Sequence, residues 1–305
     1  MQLNITNETS LLQTVVIGQP YSIGKQPKLD EAYDAKSYQS IKDKIYPSES
    51  KIVNEMLCLE KILKKYGVEV LQPKILKEYN QVFARDVAFV IDDKIIISNM
   101  IADREEEQEA YEEIFKSINF KNIYNLPKKA NVEGGDIVLT DEVVFCGVYK
   151  GSDFSQIKTA RTNAYAIEYL KELYPNKIFK ELQLKKNDKD PRKGVLHLDC
   201  TFMPIGKNKA ILYKESFANE EDYHFLVDYF GIENIFELTE NEVFYINSNV
   251  FSISPKVVIS EEKFIRLNQF LENEWNFKVE KIPYYEISKM GGLLRCSTLP
   301  LIRKK

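Results

Sequence analysis

A chain of 305 residues, 44% hydrophobic and 29% charged, can bury a large core and has the composition of a globular protein of one large domain or two ordinary ones. Its formal net charge of −4, with basic residues dispersed, excludes the electrostatic footprint of a nucleic-acid or anionic-membrane binder. No apolar run approaches the roughly 18 residues of a membrane span. Cys58, Cys146, Cys200 and Cys296 form no CxxC pair, which argues against a zinc ribbon and against a disulfide framework. Residues 1–5 lack a basic-then-apolar leader, so a reduced, cytoplasmic protein is expected.

Taken in order, residues 11–17 read as a buried β-branched strand closed by Gly18 and Pro20. Residues 20–48 show little periodicity and predict a long surface loop. Loops of that length are uncommon in compact domains and often cover active sites, so a lid is the sharper alternative. From about 50 to 66, Ile52, Val53, Met56, Leu59, Ile62 and Leu63 recur at helical steps, with Gly67 in the C′ position. Cys58 falls inside this helix and is expected to pack. A short strand, 68–71, ends at Pro73. Residues 80–91, the turn Asp92-Asp93 and residues 94–98 predict a hairpin, followed by an acidic helix over 103–118.

A second hairpin runs from Glu133 through Thr140-Asp141-Glu142 to residue 148, with a helix at 159–173 after it and a solvated loop over 183–194. His197-Leu198-Asp199-Cys200 leads through Gly206-Lys207-Asn208 into 210–213. A helix near 219–230 carries His224, read as surface or packing. Asn249 opens a further strand pair, and Ser260 is expected to cap the helix after it. Asp86, Asp136, Asp199, Asn249 and Cys296 thus each open a strand unit, at separations of 50, 63, 50 and 47 residues. Five units of hairpin plus helix predict a propeller or another repeat architecture, one α/β domain over 1–305 rather than two unrelated domains. The N-terminal strand has no unit of its own and is expected to pair with the segment after Cys296, closing the ring.

Such a ring gathers Asp86, Glu133, Asp136, His197, Asp199 and Cys296 at one end. Free cysteine more often packs than reacts, but Cys296 follows Gly291-Gly292, where a constrained loop can present a thiolate. His197 and Asp199 are two residues apart and share one face of an extended strand. By the same alternation Cys200 turns to the core, and Arg85 turns from Asp86 toward a structural salt bridge. Zinc held by His197, Asp199 and Cys296 matches no common spacing. Carboxylates clustered without an internal cation raise one another's pKa, a cost that a cationic ligand removes. A guanidinium, planar and charged well above neutrality, fits two carboxylates bidentately. Its carbon is a poor electrophile, so attack needs a thiolate and an acid for the departing amine, roles that Cys296 and His197 can fill.

Asn80-x-x-Phe83-x-Arg85-Asp86, Glu133-Gly134-Gly135-Asp136, His197-Leu198-Asp199 and Gly291-Gly292-x-x-Arg295-Cys296 resemble the signature motifs of the guanidine-modifying enzymes. These are the arginine deiminases, dimethylarginine dimethylaminohydrolases and arginine:glycine-type amidinotransferases, which share the five-bladed pseudo-symmetric α/β propeller called the pentein fold. The resemblance implies that Cys296 forms a covalent amidino-thioether while His197 protonates the leaving nitrogen and then activates water. It implies that Glu133 orients His197, that Asp86 and Asp199 grip the guanidinium, and that Asp136 supports the site. Arg161, with Arg104 as its partner, resembles the arginine that binds the substrate α-carboxylate, and Asn80 belongs with the substrate-binding set.

No metal or organic cofactor is implied, and the partner is a small arginine-like guanidine; a homo-oligomer stays open. The Glu-Gly-Gly-Asp motif and the Arg-Cys pair look more like deiminases than amidinotransferases, which tend to have His before the cysteine. Deiminases, however, carry an inserted helical domain and an arginine where this chain has Gly291. Hydrolysis of arginine to citrulline and ammonia is the first expectation, amidino transfer to an amine the second and methylarginine hydrolysis the third. Some propellers of this fold bind without chemistry, including a translation factor on the large ribosomal subunit, but loss of Cys296 or His197 would mark such a case and both are present.

Overall fold

The computed structural model describes residues 1–304. Five three-stranded sheets follow one plan, in which the middle strand runs antiparallel to the first and parallel to the third. In chain order the last four sheets are Ala88–Ile91, Lys94–Ile97 and Ile123–Asn125; Ile137–Leu139, Val143–Val148 and Ile178–Gln183; Phe202–Ile205, Lys209–Leu212 and Ile235–Glu237; and Phe251–Ser254, Val257–Glu261 and Lys278–Ile282. The remaining sheet closes the ring. Leu11–Ile17 is its middle strand, Glu69–Leu71 its third, and the C-terminal Thr298–Lys304 supplies the first, with Leu12 opposite Arg303 and Val16 opposite Leu299. The molecule is a five-bladed pseudo-symmetric α/β propeller.

The first and middle strands of a blade are antiparallel and need only a turn, whereas the parallel third strand requires a crossover, which a helix supplies. Glu49–Lys65, Ala164–Leu173, Glu220–Phe230 and Ile265–Asn273 occupy four of these crossovers. The stripe Ile52, Met56, Leu59 and Leu63 predicted for the first is buried against the sheets, and Gly67 takes φ +71° just past its end. The first strands Ala88–Ile91, Ile137–Leu139 and Phe202–Ile205 are apolar throughout, as strands covered on both faces require.

Three expected elements differ. Over 103–118 the chain forms a 3-10 helix, Ala102–Tyr111, and then a short α-helix, Glu112–Lys116. A 3-10 helix aligns residues three apart, and here it seats Arg104 against Glu107, Nε to Oε1 at 2.6 Å. The helix expected from 159 begins at Ala164, where the Asn163 side chain accepts from the Ala166 N–H, leaving Thr159 and Arg161 free to face inward. Ser260 is no cap; it is a buried member of the strand Val257–Glu261, and the next helix starts at Ile265.

Candidate active site

Three of the polar residues that open the units, Asp86, Asp136 and Asp199, lie not on strands but on single 3-10 turns just before them: Ala84–Asp86, Gly134–Asp136 and Leu198–Cys200. With about three residues per turn rather than two, the expected alternation fails. Cys200 is buried in the core as expected, but it does not face away from Asp199: its Sγ lies 3.6 Å from Asp199 Oδ1 and within 4.8 Å of the Cys296 Sγ. Asp136 holds two of these turns together. Its Oδ1 accepts from the Leu198 N–H at 2.9 Å and its Oδ2 from the Thr162 hydroxyl at 2.6 Å.

The turns bring Asp86, Glu133, Asp136, His197, Asp199 and Cys296 into one buried cluster, none more than 2% exposed. His197 Nε2 lies 2.8 Å from Glu133 Oε2, while Nδ1 has no hydrogen-bond partner and faces Asp86 Oδ1 at 3.7 Å. Cys296 Sγ sits 3.7 and 3.9 Å from the two Asp199 oxygens. Asn249, expected from sequence only to open a unit, clamps the loop that carries Cys296. Its Oδ1 accepts from the Arg295 and Cys296 N–H groups at 2.9 and 3.1 Å, and its Nδ2 donates to Cys296 Sγ at 3.3 Å. Its position in the repeat, equivalent to that of Asp86, was the available signal.

The carboxylates are not without internal cations, contrary to the expectation from sequence. Arg295 Nη1 donates to Asp199 Oδ2 at 2.8 Å while Nη2 holds Glu8 at 2.7 Å; Arg104 Nη1 donates to Asp86 Oδ2 at 2.6 Å; and Arg161 Nη1 holds both Glu133 oxygens at 3.0 and 2.8 Å. Every nitrogen of Arg161 and Arg104 already donates to a protein oxygen, including Arg161 Nη2 to the Tyr33 carbonyl at 2.8 Å and Arg104 Nε to Glu107. Arg85 makes no salt bridge among the described residues. Its Nε reaches the Arg295 carbonyl at 3.5 Å, because the nearby carboxylates of Glu8 and Asp199 are taken by Arg295. What the cluster leaves without a partner is Asp86 Oδ1 and His197 Nδ1, while Asp199 Oδ1 faces only the thiols of Cys200 and Cys296.

Burial opposes the charge on His197, but Asp86 and the Glu133 hydrogen bond outweigh it and raise its pKa above the ordinary value. The Cys200 hydrogen bond lowers the pKa of Cys296, yet burial and the carboxylates of Asp199 and Asp86 prevail and leave it raised. Glu133 is pushed up by burial but held well below the usual carboxylate range by Arg161 and His197. These directions favour the neutral thiol at Cys296 and the protonated form of His197. A cation placed between Asp86 and Asp199 would counter the two carboxylates that hold the thiol protonated.

Residues 20–48 are in part the expected surface loop, with 28–31 and 42–45 exposed, while the stretch around 33–40 packs down beside this cluster. The segment holds the helix Ala35–Lys42 and buries Asp34, Ala35, Lys36, Ser37 and Ser40. Asp34 packs on Gly291 at φ +89°, where a Cβ would stand 2.4 Å from Asp34 Oδ1. The adjoining cavity is lined by Asp34, Lys36, Thr159, Cys200, Phe244 and Gly291, and it leaves a water molecule about 40 Å³ to move in. Asn80 stands apart, in a depression with Ile23, Tyr46 and Glu49, its Nδ2 3.4 Å from the Tyr33 hydroxyl. Cys58 is half-buried in its helix and His224 is exposed.

Two trios, Asp86–Glu133–His197 and Asp199–Cys200–Cys296, bring ligand-type atoms within 4.8 Å of one another. Each is backed by arginines whose charge opposes a metal cation at that point. No helix among the described residues is long and apolar enough to cross a membrane.

Residues 23–303 match the family described as N,N dimethylarginine dimethylhydrolase, eukaryotic. The uncharacterized protein YkgA of Bacillus subtilis is 30% identical over 247 residues, which are 80% of this chain and 78% of that one. An arginine deiminase of Clostridium perfringens is 24% identical, covering 79% and 67% of the two chains. The N-terminal domain of ArgZ, an arginine dihydrolase from the ornithine–ammonia cycle in cyanobacteria, solved with its substrate, shares the fold at a TM-score of 0.77 and 18% identity, covering 95% of this chain and 98% of that one. The chain belongs to the dimethylarginine dimethylhydrolase family within the pentein superfamily of guanidine-modifying enzymes.

Proposed function

We propose that this enzyme hydrolyses the guanidinium of L-arginine to citrulline and ammonia through a covalent intermediate on Cys296. The observation that carries the reading is the pairing of Cys296 with Asp199 beside a histidine whose Nε2 is fixed by Glu133 and whose Nδ1 is unengaged. The guanidinium would sit between Asp86 Oδ1 and Asp199 Oδ1. Its charge lowers the Cys296 pKa, the thiol proton passes to solvent as the substrate binds, and the thiolate attacks the guanidinium carbon. His197 donates its proton to a terminal nitrogen, which leaves as ammonia, and the amidino group stays on sulfur. The neutral imidazole then takes a proton from water, the resulting hydroxide adds to the same carbon, and expulsion of the thiolate leaves citrulline. The four free cysteines suit a reducing, cytoplasmic setting.

The family match favours a second reading, hydrolysis of N,N-dimethylarginine by the same steps with dimethylamine as the leaving group. Both readings give citrulline, so the test follows the amine. The purified enzyme is incubated with L-arginine and with dimethylarginine, each with and without glycine. Ammonia and citrulline from arginine, independent of glycine, are expected. Dimethylamine from dimethylarginine alone would establish the second reading, and glycine-dependent ornithine would mean amidino transfer. Cys296→Ala should lose turnover at least a thousandfold with its thermal unfolding unchanged, and retained turnover would remove the nucleophile assignment.

A further inference from the structure

Asp34 is 2% exposed, and one of its carboxylate oxygens has a clear structural task. Oδ1 accepts from the Ser37 N–H at 2.7 Å and caps the helix Ala35–Lys42. Oδ2 has no hydrogen-bond partner, and Asp34 takes part in no salt bridge among the described residues. Buried carboxylate oxygens are rarely left without a donor, and each such case calls for a missing partner. The residue lines the narrow cavity that reaches Cys200, the immediate neighbour of Cys296. On its other side the carboxylate rests against Gly291, where any side chain would displace it. Burial raises the pKa of this carboxyl group, which marks a charge that a cation from outside would stabilise.

The other charged groups nearby are engaged. Arg161 and Arg104, the expected readers of a substrate carboxylate, spend every nitrogen on protein oxygens. Lys36, in the same cavity, donates its Nζ to the Phe244 carbonyl at 2.8 Å and lies 3.3 Å over the Phe244 ring. The open group at this end of the site is an acceptor. We propose that Asp34 is a specificity-determining residue whose Oδ2 receives a primary ammonium at the far end of the substrate, so that the enzyme selects aminoalkyl guanidines by their ammonium rather than by a carboxylate. This deepens the proposed function and rests on the reading of the site as a guanidine site.

The test uses three guanidines: L-arginine, agmatine, which lacks the carboxylate, and 5-guanidino-2-hydroxypentanoate, which keeps the carboxylate and replaces the ammonium by a hydroxyl. Asp34→Asn and Asp34→Ser both retain an oxygen for the helix cap and remove the charge. In each variant KM for arginine and agmatine should rise at least tenfold with kcat within threefold of wild type, while KM for the hydroxy acid stays unchanged. An equal change for all three substrates, or none, overturns the proposal. Calorimetric binding of the same compounds to Cys296→Ala, with and without Asp34→Asn, reads recognition without turnover. If the wild-type enzyme turns over none of them but Asp34→Asn still weakens arginine and agmatine binding selectively, the hydrolytic reading fails and the role of Asp34 stands. Turnover of arginine without that selective weakening removes Asp34 and leaves the hydrolytic reading intact, and no binding of the two ammonium compounds overturns the role of Asp34.

Discussion

A methyl group on residue 135 would stand 2.6 Å from His197 Cγ and Nδ1, well inside van der Waals contact. The glycine in the Glu-Gly-Gly-Asp turn is therefore a spacing device, letting the backbone pass under the imidazole whose Nε2 is tied to Glu133. Glu133 is itself pinned by Arg161, so the ring cannot slide along its partner to make room. Gly135→Ala should push Nδ1 off line by a substantial part of an ångström. Misplacement of that order costs about a hundredfold in rate. The expected outcome is a kcat at least a hundredfold down with a cooperative unfolding transition retained, measured by citrulline release and by thermal denaturation. A kcat within a few fold of wild type would show that the ring does not need this seat.

The segment over residues 20–48 acts at the scale of an element. Ligand pockets ordinarily offer about 300–1,000 Å³, yet the cavity beneath this segment gives a water molecule about 40 Å³ to move in. Tyr33 lies with its ring centroid 5.9 and 6.0 Å from the guanidinium carbons of Arg161 and Arg104, and its carbonyl holds Arg161 Nη2. On the proposed reading, a guanidine that approaches Cys296 from this side needs the segment to lift. Its own anchoring is modest, since the Leu29–Glu31 turn buries nothing and Ala35–Lys42 buries only Ala35, Lys36, Ser37 and Ser40. Segments with few buried apolar contacts open at low free energy. Amides of residues 29–42 should exchange with deuterium faster than those of Val143–Val148 in the free enzyme and slow when arginine occupies the Cys296→Ala variant. Exchange as slow as in that strand, unchanged by ligand, would make the segment a fixed wall.

At the scale of the whole molecule, the propeller was legible because each unit repeats a polar residue before an apolar hairpin, a pattern carried by residues near one another in sequence. The cluster of Cys296, His197 and Glu133 was legible for a related reason, since Gly291-Gly292 and Gly134-Gly135 mark the turns beside Cys296 and Glu133, and His197 stands two residues before Asp199. What stayed hidden depends on distance along the chain. Glu8 and Arg295 lie 287 residues apart and Arg161 and Tyr33 128 apart, and no local period encodes such pairs. The face taken by Cys200 was misread because a three-residue turn and an extended strand look alike over so short a stretch.

The Glu8–Arg295 pair gives that long-range closure a measurable signature. Arg295 lies at the hub, bonded to Glu8, Asp199 and the Ile137 carbonyl, so it joins the N-terminal segment to the turns of two other blades. Burial works against the Glu8 charge, but Arg295, with help from Arg85, brings its pKa down to about 2 from an ordinary 4.5. A carboxylate with a depressed folded pKa contributes stability that is complete above its unfolded value and disappears as pH falls through the folded one. A shift of this size corresponds to about 3 kcal/mol at neutral pH. Glu8→Gln keeps the shape and removes the charge, so it should be less stable than wild type by up to that amount at pH 7. The gap should stay constant down to about pH 4.5 and then narrow toward pH 2, as Glu8 in the wild type takes up a proton and comes to resemble the variant. Denaturant unfolding of both proteins across that range measures it. A gap that does not change with pH would mean that Glu8 acts through its shape and hydrogen bonds alone, and that the charge of Arg295 is balanced by Asp199.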